Sequence, residues 1–208
     1  MEDKKELKEI MQESKRLYDE QCKKILSYKQ ILSYLFQSCL EEYKDLSLEE
    51  IQDLLDEGQS LDKMISKNVE DQSIRGSMIR YDLLYKLKNP QNSNSMWIDI
   101  EPQGMDPGTY DLFHRGFYYA TRMVARQKND PEGFEEDDFD NIQKAITFWI
   151  CLRHARYKDN TINRYRIEER NIAGHLKHAK EFYDLMEIVL LYPRQRQRSQ
   201  EHGRDPEQ

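Results

Sequence analysis

No Cys-x-x-Cys pair occurs among the 208 residues, and the three cysteines, Cys22, Cys39 and Cys151, are odd in number and far apart. That favours buried free thiols in a reducing compartment over a zinc or disulfide framework. No apolar run approaches the roughly 18 residues needed to cross a bilayer, and the charged amino terminus lacks the apolar stretch of a signal peptide. A cytoplasmic location is therefore expected. The chain has no internal repeat, and His114, His154, His175 and His178 fall into no metal-binding spacing with cysteine or glutamate. Excess basic charge is also missing: 32 Lys and Arg stand against 39 Asp and Glu, a formal net charge of -7. Overall charge attracts no polyanion, so local basic patches would have to hold a nucleic acid.

What is present suits one soluble domain with a substantial core. Residues 1–54 follow a helical period, first as a solvated helix with an interrupted apolar stripe (Leu7, Ile10, Met11, Leu17, Tyr18), then as a denser run from Ile25 to Cys39. Ser47-Leu-Glu-Glu50 has the form of a capping box, with serine as cap and glutamate three residues on. Asp106-Pro107 predicts the start of a helix running to about Gln127, in which Arg115, Arg122 and Arg126 share a stripe. An acidic loop spans 129–140. Residues 146–152 read as a buried strand, 163–168 as a further strand, and 175–191 as a helix ending before Pro193. The polar tail from 194 is expected to be disordered.

The chemistry centres on Glu101-Pro-Gln103, at the end of the apolar run Met96-Trp-Ile-Asp-Ile-Glu101. The segment 76–87 is rich in β-formers, and Asn89-Pro-Gln-Asn-Ser-Asn-Ser95 carries turn chemistry, so the two runs predict an antiparallel hairpin. With the turn centred near Gln91 and Asn92, Asp82 falls opposite Glu101; a two-residue slip puts it opposite Asp99 or Gln103. Alternation places Asp99, Glu101 and Gln103 on one face and Ile98 and Ile100 on the other. Opposed carboxylates destabilise an antiparallel pair unless a cation or proton lies between them. The plain alternative is that Asp82 and Asp99 face solvent and Glu101 is a loop acid.

At these residues the chain resembles the PD-(D/E)XK nuclease family transposases, the Rpn family of recombination-promoting nucleases. The likeness spans residues 30–191 and rests on four ordered motifs: Tyr81-Asp82-Leu83, Ile98-Asp-Ile-Glu-Pro-Gln103, Arg115-Gly-Phe-Tyr-Tyr-Ala-Thr-Arg122 with Arg126-Gln127, and Phe148-Trp-Ile-Cys151. The resemblance implies an α/β, restriction-endonuclease-like core, a mixed central β-sheet flanked by helices, over residues 25–192. An N-terminal helical extension (1–24) precedes it and a polar tail (193–208) follows. It further implies a Mg²⁺-dependent DNA endonuclease, with Mn²⁺ able to substitute, in which Asp82 and Glu101 bind the ion. Gln103 stands where the wider superfamily has lysine; glutamine at this position departs from the superfamily but is what the resembled subgroup usually carries. Glu42, with Glu41 as competitor, is the candidate helix acid completing the metal site. Arg115, Tyr119, Arg122 and Arg126 are the candidate DNA contacts, against the plain reading of arginines paired with acids. Paired action in a homodimer is compatible with such a core. The competing class is a catalytically inactive, nuclease-like binding module, a remnant of a mobile element.

Overall fold

The computed structural model describes residues 2–57, 59–60, 70–72, 78–92, 94–131 and 133–195. The helices α1 (Glu2–Leu26), α2 (Lys29–Cys39) and α3 (Leu48–Glu57) come first. Then come β1 (Gln59–Ser60), β2 (Glu70–Gln72), β3 (Met78–Arg80), β4 (Leu83–Lys88) and β5 (Ser95–Gln103). The helix α4 (Leu112–Arg126) leads to β6 (Lys144–Cys151), β7 (Thr161–Arg166) and β8 (Met186–Tyr192). Six strands form one sheet in the order β1-β4-β5-β6-β8-β7, while β2 and β3 pair separately. The three central strands β5, β6 and β8 run parallel, and β4 and β7 flank them antiparallel. The protein is thus an α/β fold with a mixed sheet flanked by helices.

Period-two alternation decides which helix each strand face meets. Met96, Ile98 and Ile100 of β5, Ile146 and Phe148 of β6 and Val189 of β8 join Leu32, Phe36, Tyr43 and Ile51 from the α2–α3 side in one buried cluster. The opposite face presents Trp97 and Ala145 to Met123, and Trp149, Cys151, Ile188 and Leu190 to Leu112 and Ala120 of α4. Gly116 lets α4 lie close: a Cβ there would sit 2.8 Å from Ile188 Cγ2 and 3.0 Å from Trp149 Nε1. Every residue of β6 is buried, as expected for a central parallel strand.

The capping box at Ser47 forms as read: the Ser47 N–H donates to Glu50 (2.7 Å) and the Glu50 N–H donates to Ser47 Oγ (3.2 Å). Other expectations need correction. The run 175–191 is not a helix; its second half is β8, because Ile188, Val189 and Leu190 are buried between β6 and β7. Helix α4 begins at Leu112 rather than near Asp106, since Asp111 accepts the Phe113 N–H (2.9 Å) and acts as cap, whereas Asp106 is bonded to Lys158 (2.5 Å). The upstream hairpin segment is interrupted at Tyr81 and Asp82, which separate β3 from β4. All three thiols are free. Of the predicted disordered tail, residues 196–208 lie outside the described residues.

Candidate metal and nucleic-acid site

Leu83 pairs with Ile100 in the β4–β5 ladder, so the next step along the register sets Asp82 opposite Glu101. The Asp82 N–H donates to Glu101 Oε1 at 2.9 Å. This is the first of the registers read from the sequence. The pair lies at the C-terminal end of β5, beside the C-terminal end of parallel β6, where Glu101 pairs with Trp149. Crevices outside the carboxyl ends of parallel strands are the usual ligand sites of α/β sheets.

Burial takes Glu101 and Asp99 out of the class of solvent-facing acids, while Asp82 stays partly exposed. Glu101 is 4% exposed and Asp99, two residues earlier on the same face, is fully buried. Burial first, and then the charge of Asp82, push the Glu101 carboxyl up to about 8, against the opposing pull of the Asp82 N–H, Arg115 and a hydrogen bond with Asp99. Two carboxyls side by side in the interior share protons or require a cation. The donor set on offer is oxygen only, which suits a hard ion such as Mg²⁺, so these residues fit the group. Asp99, placed by the strand alternation on the face of Glu101 and Gln103 but not among the candidate ligands, is thus brought into the candidate site.

Gln103 follows on the same face. Its Nε2 donates to Met105 O (2.7 Å), its Oε1 accepts from Arg115 (3.2 Å), and its backbone carbonyl accepts the Leu152 N–H (2.9 Å). Arg115 is held over the Trp149 ring, 4.8 Å from its centroid, and donates to Tyr119 (3.2 Å) and Tyr110 (3.4 Å). Tyr119 in turn packs edge-on against Tyr81 and Trp149, at 5.7 and 5.0 Å between ring centroids. Glu101, Gln103, Arg115 and Tyr119 therefore form one contiguous group. Arg126 is not part of it: it reaches over Trp97, lower on β5, and pairs with Asp130 at 3.5 Å. Arg122 lies nearly two turns beyond Arg115 on α4 and is half-buried.

A lysine from outside the sheet completes the picture. Lys23 of α1 forms an ion pair with the Asp82 carboxylate, and both side chains remain partly open, 36% and 21% exposed. Nothing in the sequence marked this contact, because it joins residues 59 positions apart across a helix of otherwise solvated character.

Glu42 does not join Asp82 and Glu101. It sits at the opposite end of the sheet, where Lys144, paired with Met96 at the start of β6, donates to Glu42 (2.7 Å), Asp184 (2.9 Å) and Glu187 (2.9 Å). The competitor Glu41 is also away from the site, bonded to Arg166 (2.7 Å) and Lys180 (2.9 Å). The ligand atoms of Glu42, Asp184 and Glu187 lie within 4.8 Å of one another, a spacing that suits a metal. The Lys144 ammonium already bonds all three. Burial works against its charge, yet the attraction of Glu187, Glu42 and Asp184 outweighs it and raises the Lys144 pKa. With Arg164 near Glu187 (3.8 Å) and Lys180 near Asp184 (3.5 Å), three bases face three acids. We read this cluster as a structural ion network. A cleft of about 220 Å³ adjoins it, lined in part by Glu42, Lys144 and Asp184, and so belongs to this end of the sheet.

Charge is distributed unevenly along the chain. Residues 129–140 contain seven acids and no Lys or Arg, whereas 153–180 contain eight Lys and Arg against three acids, a net +5. Arg156, Arg170 and Lys177 in the second segment are exposed. Burial pushes the thiols of Cys39 and Cys151 up to about 11, away from the thiolate form at neutral pH. Among the described residues no helix is long and apolar enough to cross a membrane. The chain matches no family model, no curated protein and no solved structure.

Proposed function

We propose that this chain is a divalent-metal-dependent DNA endonuclease built on a restriction-endonuclease-like core. The observation that carries the reading is the facing of Asp82 and buried Glu101 at the carboxyl end of β5, with Arg115 alongside. A bound Mg²⁺ supplies charge neutralisation at phosphorus and an activated water. The chain's own residues do the rest. Asp82 and Glu101 hold the ion, with buried Asp99 behind Glu101 and hydrogen-bonded to it. Arg115, fixed by Tyr119, Tyr110 and Trp149, presents positive charge to the developing phosphate charge. Gln103 keeps Arg115 in place through its amide oxygen, a positioning task that needs no charge. Within the segment 153–180, the exposed Arg156, Arg170 and Lys177 give a local attraction for the DNA backbone that the net charge of -7 does not.

One observation favours the second reading, a nuclease-like binding module: the Gln103 amide is already engaged by Met105 and Arg115 instead of being turned toward the acids. Nicking of supercoiled plasmid in Mg²⁺ or Mn²⁺, compared with EDTA, separates the two. The nuclease reading expects metal-dependent nicking that Glu101→Ala abolishes. Binding of DNA with no cleavage in either metal would establish the module instead.

A further inference from the structure

Helix α1 meets the rest of the protein with an unexpected face. Its half-buried positions Asp19, Cys22, Lys23 and Leu26 follow i, i+3, i+4, i+7 spacing, so a stripe that is half charged turns inward, with Leu26 at its end packed on the core. Ile10, Met11, Leu17, Tyr18 and Ile25 stay exposed. A helix docked for stability alone would bury its apolar side. The inward stripe instead crosses the carboxyl end of β5: a Cβ on Gly104 would lie 3.9 Å from Asp19 Oδ1 and 4.0 Å from Tyr18 Cε1, and Lys23 reaches Asp82.

The charge balance of the site gives that lysine a task. Asp82, Asp99 and Glu101 bring three carboxyl groups, and a phosphodiester adds negative charge that grows as the bond to phosphorus changes. Arg115 has much of its donor capacity committed, to Gln103, Tyr110 and Tyr119. Lys23 has three N–H donors, an ion pair with Asp82 among the described residues and an ammonium still open to solvent. We propose that Lys23 is a working member of the active site: with a divalent cation on Asp82, its ammonium binds a non-bridging oxygen of the scissile phosphate. This rests on the nuclease reading above. In the hydrolysis the water oxygen bonds to phosphorus, the bond to the departing sugar oxygen breaks, and that oxygen ends with the proton that water gives up. Lys23 stays protonated throughout and contributes charge alone.

The test compares full-length wild type, Lys23→Gln, Lys23→Arg and a same-helix control, Lys24→Gln, together with Glu101→Gln. Single-turnover cleavage of a duplex in Mg²⁺, duplex binding in Ca²⁺ and Mn²⁺ affinity by calorimetry are measured on each, with melting temperature confirming the fold. For Lys23→Gln the expected results are a cleavage rate about 10²-fold lower, weaker duplex binding in Ca²⁺, and Mn²⁺ affinity equal to or tighter than wild type. Lys23→Arg restores part of the rate and Lys24→Gln behaves as wild type. A Lys23→Gln protein that cuts as fast as wild type, or faster, overturns the proposal; faster cutting would make α1 a plug. If that occurs while Glu101→Gln is inactive, the nuclease reading survives without Lys23. A wild type that neither binds Mn²⁺ nor cuts overturns both.

Discussion

The two ends of β5 and β6 each gather acids around a lysine, and the lysines differ in where they come from. At the amino-terminal end, Lys144 belongs to the sheet itself, is buried, and bonds Glu42, Asp184 and Glu187 together. At the carboxyl end, Lys23 arrives from a peripheral helix and touches Asp82, while Glu101, its carboxyl raised by burial and by the charge of Asp82, lies beside Asp99. A closed ion network holds parts of a fold together and resists substitution of any one member. A partly neutralised one leaves a buried acid whose charged form is disfavoured without a further counter-charge. The comparison teaches that carboxylate count and spacing do not by themselves mark an open site: the acids that converge within 4.8 Å are those already bonded to Lys144.

The largest expected effect breaks the pair by function. Glu101→Gln keeps an oxygen to accept the Asp82 N–H but removes a ligand charge, so cleavage should fall at least about 10³-fold, since metal-assisted stabilisation is worth several kcal/mol. Its melting temperature should hold or rise, because an ionisable group leaves the interior. Lys144→Met should do the reverse, removing about 3–5 kcal/mol of stability by stranding buried carboxylates, as read by urea denaturation. Glu42→Gln sharpens the contrast: a loss of about 1.5–3 kcal/mol from one charge-assisted bond, with Mn²⁺ affinity and cleavage unchanged in the folded protein.

The smallest effect is one of pH. Glu101 binds its proton more tightly in the folded state than unfolded, so its contribution to stability is fully present below the unfolded value near 4.5 and is lost as pH rises through about 8. Denaturation without metal should therefore show this loss between pH 5 and 9, and Glu101→Gln should remove it. Metal reverses the trend, since binding expels the proton: calorimetry in buffers of different ionisation heat at pH 7 should register about one proton released per ion. Metal affinity that stays flat across this range would show that Glu101 is not a ligand.

Much of the site was legible because strand register follows from counting. The turn chemistry around Gln91 and Asn92 fixes the midpoint of the hairpin, and Asp82 opposite Glu101 follows arithmetically. The capping box at Ser47 and the buried strand after Lys144 were legible for equally local reasons. What failed was long-range or degenerate. Met186-Glu-Ile-Val-Leu-Leu-Tyr192 is short and apolar, and such a run fits a buried strand or a helix segment equally well until its neighbours are known. Glu42 was drawn to the wrong end because no sequence signal tells which end of the sheet a helix acid will reach. Asp106 followed by proline imitates a cap, but Lys158, 52 residues on, claims its carboxylate.

The margin formed by β7 has a consequence for how this protein behaves in company. It is the outer strand of the sheet on that side, and all but the first of its six residues are exposed, so its backbone offers a template on which another chain could build. Arg164 and Arg166 stand along that border beside Glu41 and Glu187, and Phe113 shields Tyr165 with ring centroids 4.6 Å apart. Charges on an open border discourage strand-on-strand stacking, so replacing both arginines with valine should turn a well-behaved solute into one prone to fibrillar association.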